Sequence, residues 1–388
     1  MKRLVSFLFK AALCVFALVI GVHVANNVVD SADPWKNKSP EKLTDIGSPY
    51  KFYYEELNDT EKHAYNEILS NIYTMPEKVR IPDIDGEQLD RIFSALLADN
   101  PDLFFVGRKC TLTAKGLSTY CAVEYYIDYE TYLNQKAELE KVCSEVMASL
   151  TDPENEFRTE LEIHDFIVEN CAYRLEKGEF VYSSAYGALV NGEAACEGYS
   201  KAAKLLLDMA GMESAVVSGI SDNTEDPEGP HMWNAVKVNG DFYYLDCTWD
   251  DPVSESGKEM VMYAYFNLND EMIAATHSDF SYEFNCTATA ENYYIKTGSY
   301  FESYDRSDEK KISSIVANEL NSGGNVIQLR FGSKKVYNEA VSELIDSGRL
   351  YNVLKGAKGK TKVNFSTESL SYYKDSGQLL VTLVIETK

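Results

Sequence analysis

Residues 192–200 read Gly-Glu-Ala-Ala-Cys-Glu-Gly-Tyr-Ser, and a helical pattern follows them directly. Apolar side chains then recur at helical spacing, namely Tyr199, Ala203, Leu206, Leu207 and Ala210. Gly211 supplies a stop signal. The pattern therefore puts Cys196 in the first turn of a helix or just before it. Unpaired backbone N–H groups and the helix dipole favour a negatively charged thiolate at that position.

A single cysteine is more often a small buried hydrophobe than a nucleophile. The residues around Cys196 favour the reactive interpretation, because Ala194, Ala195 and Gly198 are small. Small residues are what the close approach of a substrate requires. The N–H groups of the same helix start could also hold an oxyanion.

A β-hairpin follows the helix. Residues 232–238 alternate in polarity, Asn239-Gly240 is a strong turn signal, and residues 242–249 alternate again. A two-residue turn pairs Val238 with Asp241, so that Trp233 faces Asp246 and His231 faces Thr248.

These four side chains then share one face of the sheet. His231 and Asp246 become diagonal neighbours, roughly 7 Å apart at Cα. A carboxylate that holds one imidazole nitrogen leaves the other free to take a thiol proton. Cys196, His231 and Asp246 are therefore the predicted catalytic residues. The other histidines fit this role poorly, and His277 in particular lies in a loop-like segment.

Three sequence blocks carry a family resemblance. They are residues 192–202, residues 231–240 beginning His-Met-Trp-Asn, and residues 244–252 beginning Tyr-Leu-Asp. Together they resemble the bacterial transglutaminase-like superfamily over about 155–285. The resemblance implies an α+β fold with a papain-like core, in which a cysteine-bearing helix packs on an antiparallel sheet that carries the histidine and the aspartate. It assigns the same three residues to a catalytic triad.

Tyr199, Trp233 and Trp249 could line a substrate slot, although a place in the core suits each of them equally well. Zinc binding by Cys196, Cys247, His231 and His277 is disfavoured, because no close ligand pair has zinc-finger spacing. The acidic residues 222–228 lack the ordered ligand spacing of a calcium loop. The sequence thus predicts no metal and no cofactor.

The composition limits partners and location. The chain has 37 Lys and Arg against 61 Asp and Glu, and its net charge is -24. Such a surface repels phosphate backbones, which argues against nucleic-acid binding. Residues 1–25 contain Lys2, Arg3 and an apolar run from Ala11 to Val22, and they resemble a signal peptide or an uncleaved membrane anchor. The predicted location is extracellular or at the cell surface.

The rest of the chain divides into predicted segments. A polar linker occupies 26–50, an N-terminal α+β domain 51–150, the transglutaminase-like catalytic domain 151–285 and a C-terminal α+β domain 290–388. In the N-terminal domain, a turn at Lys115-Gly116 would put Cys110 directly opposite Cys121, where a cross-strand disulfide is possible. The C-terminal domain shows no chemical motif, so packing or binding is its expected role.

The predicted function is acyl transfer or amide hydrolysis through a cysteine thioester. An amine acceptor would make the protein a transglutaminase, and water would make it a peptidase. The expected partner is a protein or peptide substrate, with cell-wall peptides as one option. The alternative is an exported, non-catalytic binding or scaffold protein on the same fold.

Overall fold

The computed structural model describes residues 34–35, 38–116, 118–176, 179–222, 229–251 and 260–387 of the 388-residue chain. The predicted leader at 1–25 and the first part of the predicted linker lie outside these residues. The chain divides into two compact units between Ala137 and Glu138. Within the described residues, no helix has the length and apolar character that a membrane span requires.

The first unit combines helices with a three-stranded sheet of order β1-β3-β2. Capping boxes on Asn58 and Asp85 start its two main helices, because each side chain accepts a hydrogen bond from the backbone N–H three residues on. Its elements are α1 Phe52–Glu55, α2 Asp59–Ile72, β1 Val79–Ile81, α3 Gly86–Asp99, β2 Val106–Lys115 and β3 Ser118–Tyr125.

The β2–β3 hairpin has a different register from the predicted one. Lys115 pairs with Ser118, so the turn comes one residue later than expected. Cys121 consequently faces Leu112, and Cys110 occupies the diagonal position. The prediction of directly opposed cysteines was wrong, because a Lys-Gly pair does not fix a turn as tightly as Asn-Gly. The two thiols nevertheless interact with each other.

Helix α4 Tyr129–Ser149 runs across the division between the units. The second unit continues with the helices and strands that include Cys196 and the β-hairpin of His231. They are α5 Glu156–Asn170, β4 Ala172–Tyr173, β5 Glu193–Ala194, α6 Cys196–Met209, β6 Ser214–Ser221, β7 Gly229–Val238, β8 Asp241–Leu245, α7 Asp270–Ile273 and β9 His277–Ser278. The last four strands form an antiparallel sheet of order β8-β7-β6-β9.

The β7–β8 hairpin has the predicted register wherever the two strands pair. Val238 faces Asp241 and Asn234 faces Leu245. Asn239 and Gly240 have φ of 52° and 97°, as the predicted two-residue turn demands. The ladder ends at Leu245, however, because the chain then folds into a tight turn instead of continuing as a strand.

Helix α6 packs on β6 and β7, which is the predicted arrangement of a cysteine-bearing helix on an antiparallel sheet. The buried Asn234 amide fixes the contact, since its Nδ2 donates to the backbone oxygens of Ser200 at 2.9 Å and Ala215 at 3.3 Å. At Gly219 on β6 there is no room for a side chain. A Cβ there would lie 2.4 Å from Ser278 O and 2.7 Å from the Trp233 ring. The α+β class is therefore confirmed.

The C-terminal part adds a second sheet, of order β10-β11-β13-β12, with helices packed on it. The elements are α8 Tyr293–Thr297, β10 Tyr300–Phe301, α9 Asp308–Ser322, β11 Val326–Phe331, α10 Lys334–Val341, α11 Leu350–Lys358, β12 Phe365–Asp375 and β13 Leu380–Thr387. Ile312, Leu329, Val353 and Leu383 are among its fully buried core residues.

Candidate active site

Cys196 is the first residue of α6, as predicted. Ala195 precedes it in an extended conformation and makes no side-chain cap. No capping side chain therefore neutralises the partial positive charge that the first N–H groups of the helix present to the thiol. The Cys196 side chain is partly exposed. By contrast, Cys143, Cys171, Cys247 and Cys286 are buried, and burial raises the pKa of each of their thiols.

His231 lies on β7, opposite Gly219 of β6. Its Nε2 is 2.7 Å from Asp246 Oδ2, and its ring also interacts with the Cys196 side chain. Since Nε2 faces the carboxylate, Nδ1 is the nitrogen left for the thiol. Burial disfavours the charged imidazole, but the Asp246 carboxylate and Cys196 outweigh it and raise the pKa of His231 to about 10.

Asp246 follows the last residue of β8 and begins the turn that ends the strand. Its Oδ1 accepts the backbone N–H groups of Thr248 and Trp249 at 3.0 and 3.2 Å. Its Oδ2 faces His231. The carboxylate is fully buried, which opposes its charge, yet the imidazoles of His231 and His277 hold its pKa well below the usual range.

His277 is the residue that sequence reasoning missed. It lies on β9, where it pairs with Ser221 of β6, and its Nε2 is 3.2 Å from the same Asp246 oxygen that His231 contacts. The sequence segment looked like a loop, and β9 is only two residues long. No local pattern could have revealed it, because its position depends on pairing with a strand more than fifty residues earlier in the chain.

Aromatic rings enclose the two imidazoles. Trp233 stacks on His231 at 5.9 Å between centroids, and Trp249 lies 5.5 Å from the same ring. Trp233 and Tyr199 have no exposed surface. They therefore cannot line a slot in this structure, and their substrate-binding role is corrected to support from within the core. Trp249 is partly exposed and keeps the predicted role as an option.

The small residues beside Cys196 also have a different role from the predicted one. Ala194 and Ala195 are buried. A Cβ at Gly198 would lie 2.6 Å from Tyr182 O and 2.7 Å from the Ala194 side chain. The space beside Gly198 is thus filled by the protein's own chain. A glycine at this position allows Tyr182 and Ala194 to pack closely against the first turn of α6.

His231, Asp246 and His277 are the one set among the described residues whose ligand atoms could hold a metal ion, all lying within 4.8 Å of one another. Two ligands of a tetrahedral zinc ion, each about 2.0–2.1 Å from the metal, lie more than about 3 Å apart. The 2.7 Å between His231 and Asp246 is instead a hydrogen-bond distance. We therefore assign the cluster to hydrogen bonding.

A second imidazole–carboxylate group lies deeper in the same unit. His164 on α5 has no exposed surface, and its Nδ1 is 3.0 Å from Asp165 Oδ1. Its Nε2 lies 3.3 Å from Asp250 Oδ2 without hydrogen-bond geometry, so this contact is an ion pair. Burial opposes the charge on His164, but Asp165 and Asp250 raise its pKa to about 9.

Comparison with known proteins supports the resemblance. Residues 140–247 match the family model of the transglutaminase-like superfamily, and this segment contains Cys196, His231 and Asp246 but not His277. The resemblance inferred from the three sequence blocks is therefore confirmed over that segment. None of the curated protein sequences matches the chain significantly.

Three solved structures show partial similarity. They are a TGase (14% identity, 45% of this chain and 50% of that one, TM-score 0.27), a candidate cysteine protease from Cytophaga hutchinsonii (11%, 40% and 65%, 0.26) and a candidate protease from Parabacteroides distasonis (14%, 40% and 40%, 0.23). The chain thus spans about half of the length of the TGase and less than two thirds of either of the others.

Proposed function

We propose that the protein is an exported cysteine enzyme that transfers or hydrolyses acyl groups through a thioester on Cys196. The observation that carries this proposal is the continuous contact from Cys196 through His231 to Asp246, with the cysteine at the start of α6. A nucleophile, a base and an orienting carboxylate in this order form the arrangement that activates a thiol. Residues 1–25 suggest export.

In the proposed reaction, the Cys196 thiol gives its proton to His231, and the resulting Sγ is the nucleophile. Sγ attacks the carbonyl carbon of an amide, and the carbonyl electron pair moves onto oxygen. The N–H at the start of α6 stabilises that oxyanion. As the tetrahedral intermediate collapses, the C–N bond breaks and His231 gives its proton to the leaving nitrogen, which leaves a thioester on Cys196.

The thioester is then released by an acceptor. Neutral His231 takes a proton from an amine or from water, and the acceptor attacks the acyl carbon. The Cys196 thiolate leaves, and the imidazolium ion is restored. An amine yields a new amide and water yields an acid. Peptides and proteins, including cell-wall peptides, are the proposed substrates.

Thiol labelling tests whether the site is reactive. Iodoacetamide at neutral pH should alkylate Cys196 of the folded protein quickly, as read by peptide mass spectrometry. The His231→Ala variant should lose this fast reaction. Cys110 is partly exposed as well, so the matched control Cys110→Ala should leave the labelling of Cys196 unchanged. A Cys196 that is inert in the folded wild type would favour the non-catalytic scaffold instead.

A paired assay separates transfer from hydrolysis. The protein is incubated with casein and a labelled amine, and in parallel with peptidoglycan peptides. Incorporated amine without new chain termini indicates a transglutaminase, whereas new termini indicate a peptidase. A Cys196→Ala preparation should give neither product.

A further inference from the structure

Asp246 accepts hydrogen bonds from two imidazoles at once. His231 Nε2 and His277 Nε2 lie 2.7 and 3.2 Å from the same oxygen, Oδ2. Two backbone N–H groups, of Thr248 and Trp249, hold the other oxygen. A carboxylate has about four acceptor positions, so these partners fill them and fix both the position and the rotation of the group.

The tautomer of His277 follows from its neighbours. An ionised carboxylate can only accept, so Nε2 of His277 carries the hydrogen. The Thr276 hydroxyl lies 2.9 Å from its Nδ1. His277 is fully buried, and its ring packs between Trp233 and Trp249 at 4.7 and 4.9 Å. Its orientation is therefore held by packing as well as by hydrogen bonds.

The contacts continue from His277 into the C-terminal sheet. Thr276 also interacts with the Tyr265 hydroxyl group and opposes the rise that burial gives to the pKa of that group. That group accepts a hydrogen bond from Gln378 Nε2 at 2.8 Å, and Arg330 on β11 donates to Gln378 at 3.3 Å. Arg330, Gln378 and Asp246 are all buried. A chain of polar contacts thus joins the C-terminal sheet to the carboxylate beside the reactive histidine.

We propose that His277 is a positioning residue for the reaction at Cys196, and that the C-terminal sheet holds it in place through Thr276, Tyr265 and Gln378. This rests on the proposed function. His277 does not touch the thiol. It holds the carboxylate that holds His231, so that the imidazole meets Cys196 in one orientation. This assigns a task to a C-terminal region in which the sequence shows no chemical motif.

Two substitutions at position 277 separate positioning from packing. His277→Gln keeps a neutral N–H donor near the place of Nε2 but loses the aromatic ring. His277→Phe keeps a ring but loses the donor. If His277 positions Asp246, kcat should fall up to about 100-fold in the phenylalanine variant and only a few-fold in the glutamine variant, with KM unchanged in both. If the ring only fills space, the order should be reversed.

The measurements are kcat and KM with a peptide amide substrate, the alkylation rate of Cys196, and thermal unfolding of each variant. Equal kcat in both variants, or a better phenylalanine variant, overturns the proposal. If His277→Phe does not fold, Thr276→Val decides, since it leaves His277 in place and removes only the hydroxyl. A lower kcat with the same KM supports the proposal, and an unchanged kcat overturns it.

Failure of the proposed function would look different. In that case the wild-type protein itself would show neither turnover nor fast alkylation of Cys196. Positioning could still be read from the downfield proton resonance of the His231 Nε2–H bonded to Asp246. His277→Phe, or Thr276→Val if the former does not fold, should shift or broaden this resonance, whereas an unchanged resonance overturns the positioning role on its own.

Discussion

Two groups of the same residue types meet at one turn of the chain, because Asp246 belongs to the first group and Cys247 and Asp250 belong to the second, and they differ in what surrounds the cysteine. In the first, Cys196 is partly exposed at a helix start and contacts His231, which Asp246 holds. In the second, Cys247 is fully buried, and Asp250 pairs with His164. The residue types are shared, so the surroundings must account for any difference in chemistry.

The surroundings act on the thiol in opposite ways. Burial first, and then the charges of Asp246, Asp250, Glu160 and Asp165, raise the pKa of the Cys247 thiol well above its ordinary value. A buried thiol among carboxylates stays protonated and is a poor nucleophile. Cys196 instead has a helix start and an imidazole beside it. The presence of a cysteine, a histidine and an aspartate in one group is therefore not a sufficient sign of a reactive site.

The largest expected effect comes from Asp246→Asn, which keeps the size of the side chain and removes its charge. We expect kcat/KM to fall by about 10³-fold or more, because the imidazole loses its orientation and the charge that keeps it protonated. Asp250→Asn is the matched control in the second group, and it should lower activity far less per folded molecule. Similar losses in both variants would contradict the distinction between the two groups.

The same pair of variants predicts a change in the pH profile. The pKa of His231 is raised to about 10, so the wild-type activity should decline only as the pH rises towards 10 and the imidazole loses its proton. Without the Asp246 charge this pKa falls, and the alkaline limb of kcat/KM should move to lower pH. In Asp250→Asn the limb should stay near its wild-type position. An unmoved limb in Asp246→Asn would show that another group controls it.

The second group should act on stability. His164→Ala removes the imidazole from between Asp165 and Asp250 and leaves the buried Asp250 without its cation. Breaking a buried pair in this way costs about 3–5 kcal/mol of unfolding free energy. Chemical denaturation would measure the loss. The folded fraction of the variant should keep the fast alkylation of Cys196. A selective loss of that reaction would show that His164 acts on the reactivity of Cys196, as the first group does.

The pH dependence of stability provides a test of Glu160, a buried carboxyl close to the second group. Burial is the main reason that the pKa of this carboxyl is raised to about 8, against 4.5 for the free side chain. The folded state therefore holds a proton that the unfolded chain has released, and this contribution to stability declines as the pH rises from about 4.5 through 8.

Glu160→Gln should remove that decline. At about 1.4 kcal/mol per pKa unit, and allowing for relaxation around a buried carboxylate, the variant should gain on the order of 2 kcal/mol over wild type at pH 9. It should show little difference at pH 5. Denaturation midpoints at the two pH values measure the gain, and an equal effect at both would assign Glu160 a purely steric role.

The sequence predicts the elements that depend on local patterns. Helix α6 with Cys196 at its start follows from helical spacing, and the register of β7 with β8 follows from Asn239-Gly240. His277 and the contact of His164 with Asp250 could not be predicted in this way. Both depend on segments that are distant along the chain and meet only in the folded sheet and its covering helices.

The smallest expected effect on activity concerns Trp249, one of the two tryptophans beside His231. Trp249 is partly exposed, so Trp249→Ala should raise KM by up to about tenfold if its ring contacts the substrate, while kcat changes less. Trp233 is fully buried, and Trp233→Ala should instead destabilise the fold by about 3–5 kcal/mol. Steady-state kinetics and denaturation of both variants provide the comparison. An unchanged KM in Trp249→Ala would mean that Trp249, like Trp233, only packs against the imidazoles.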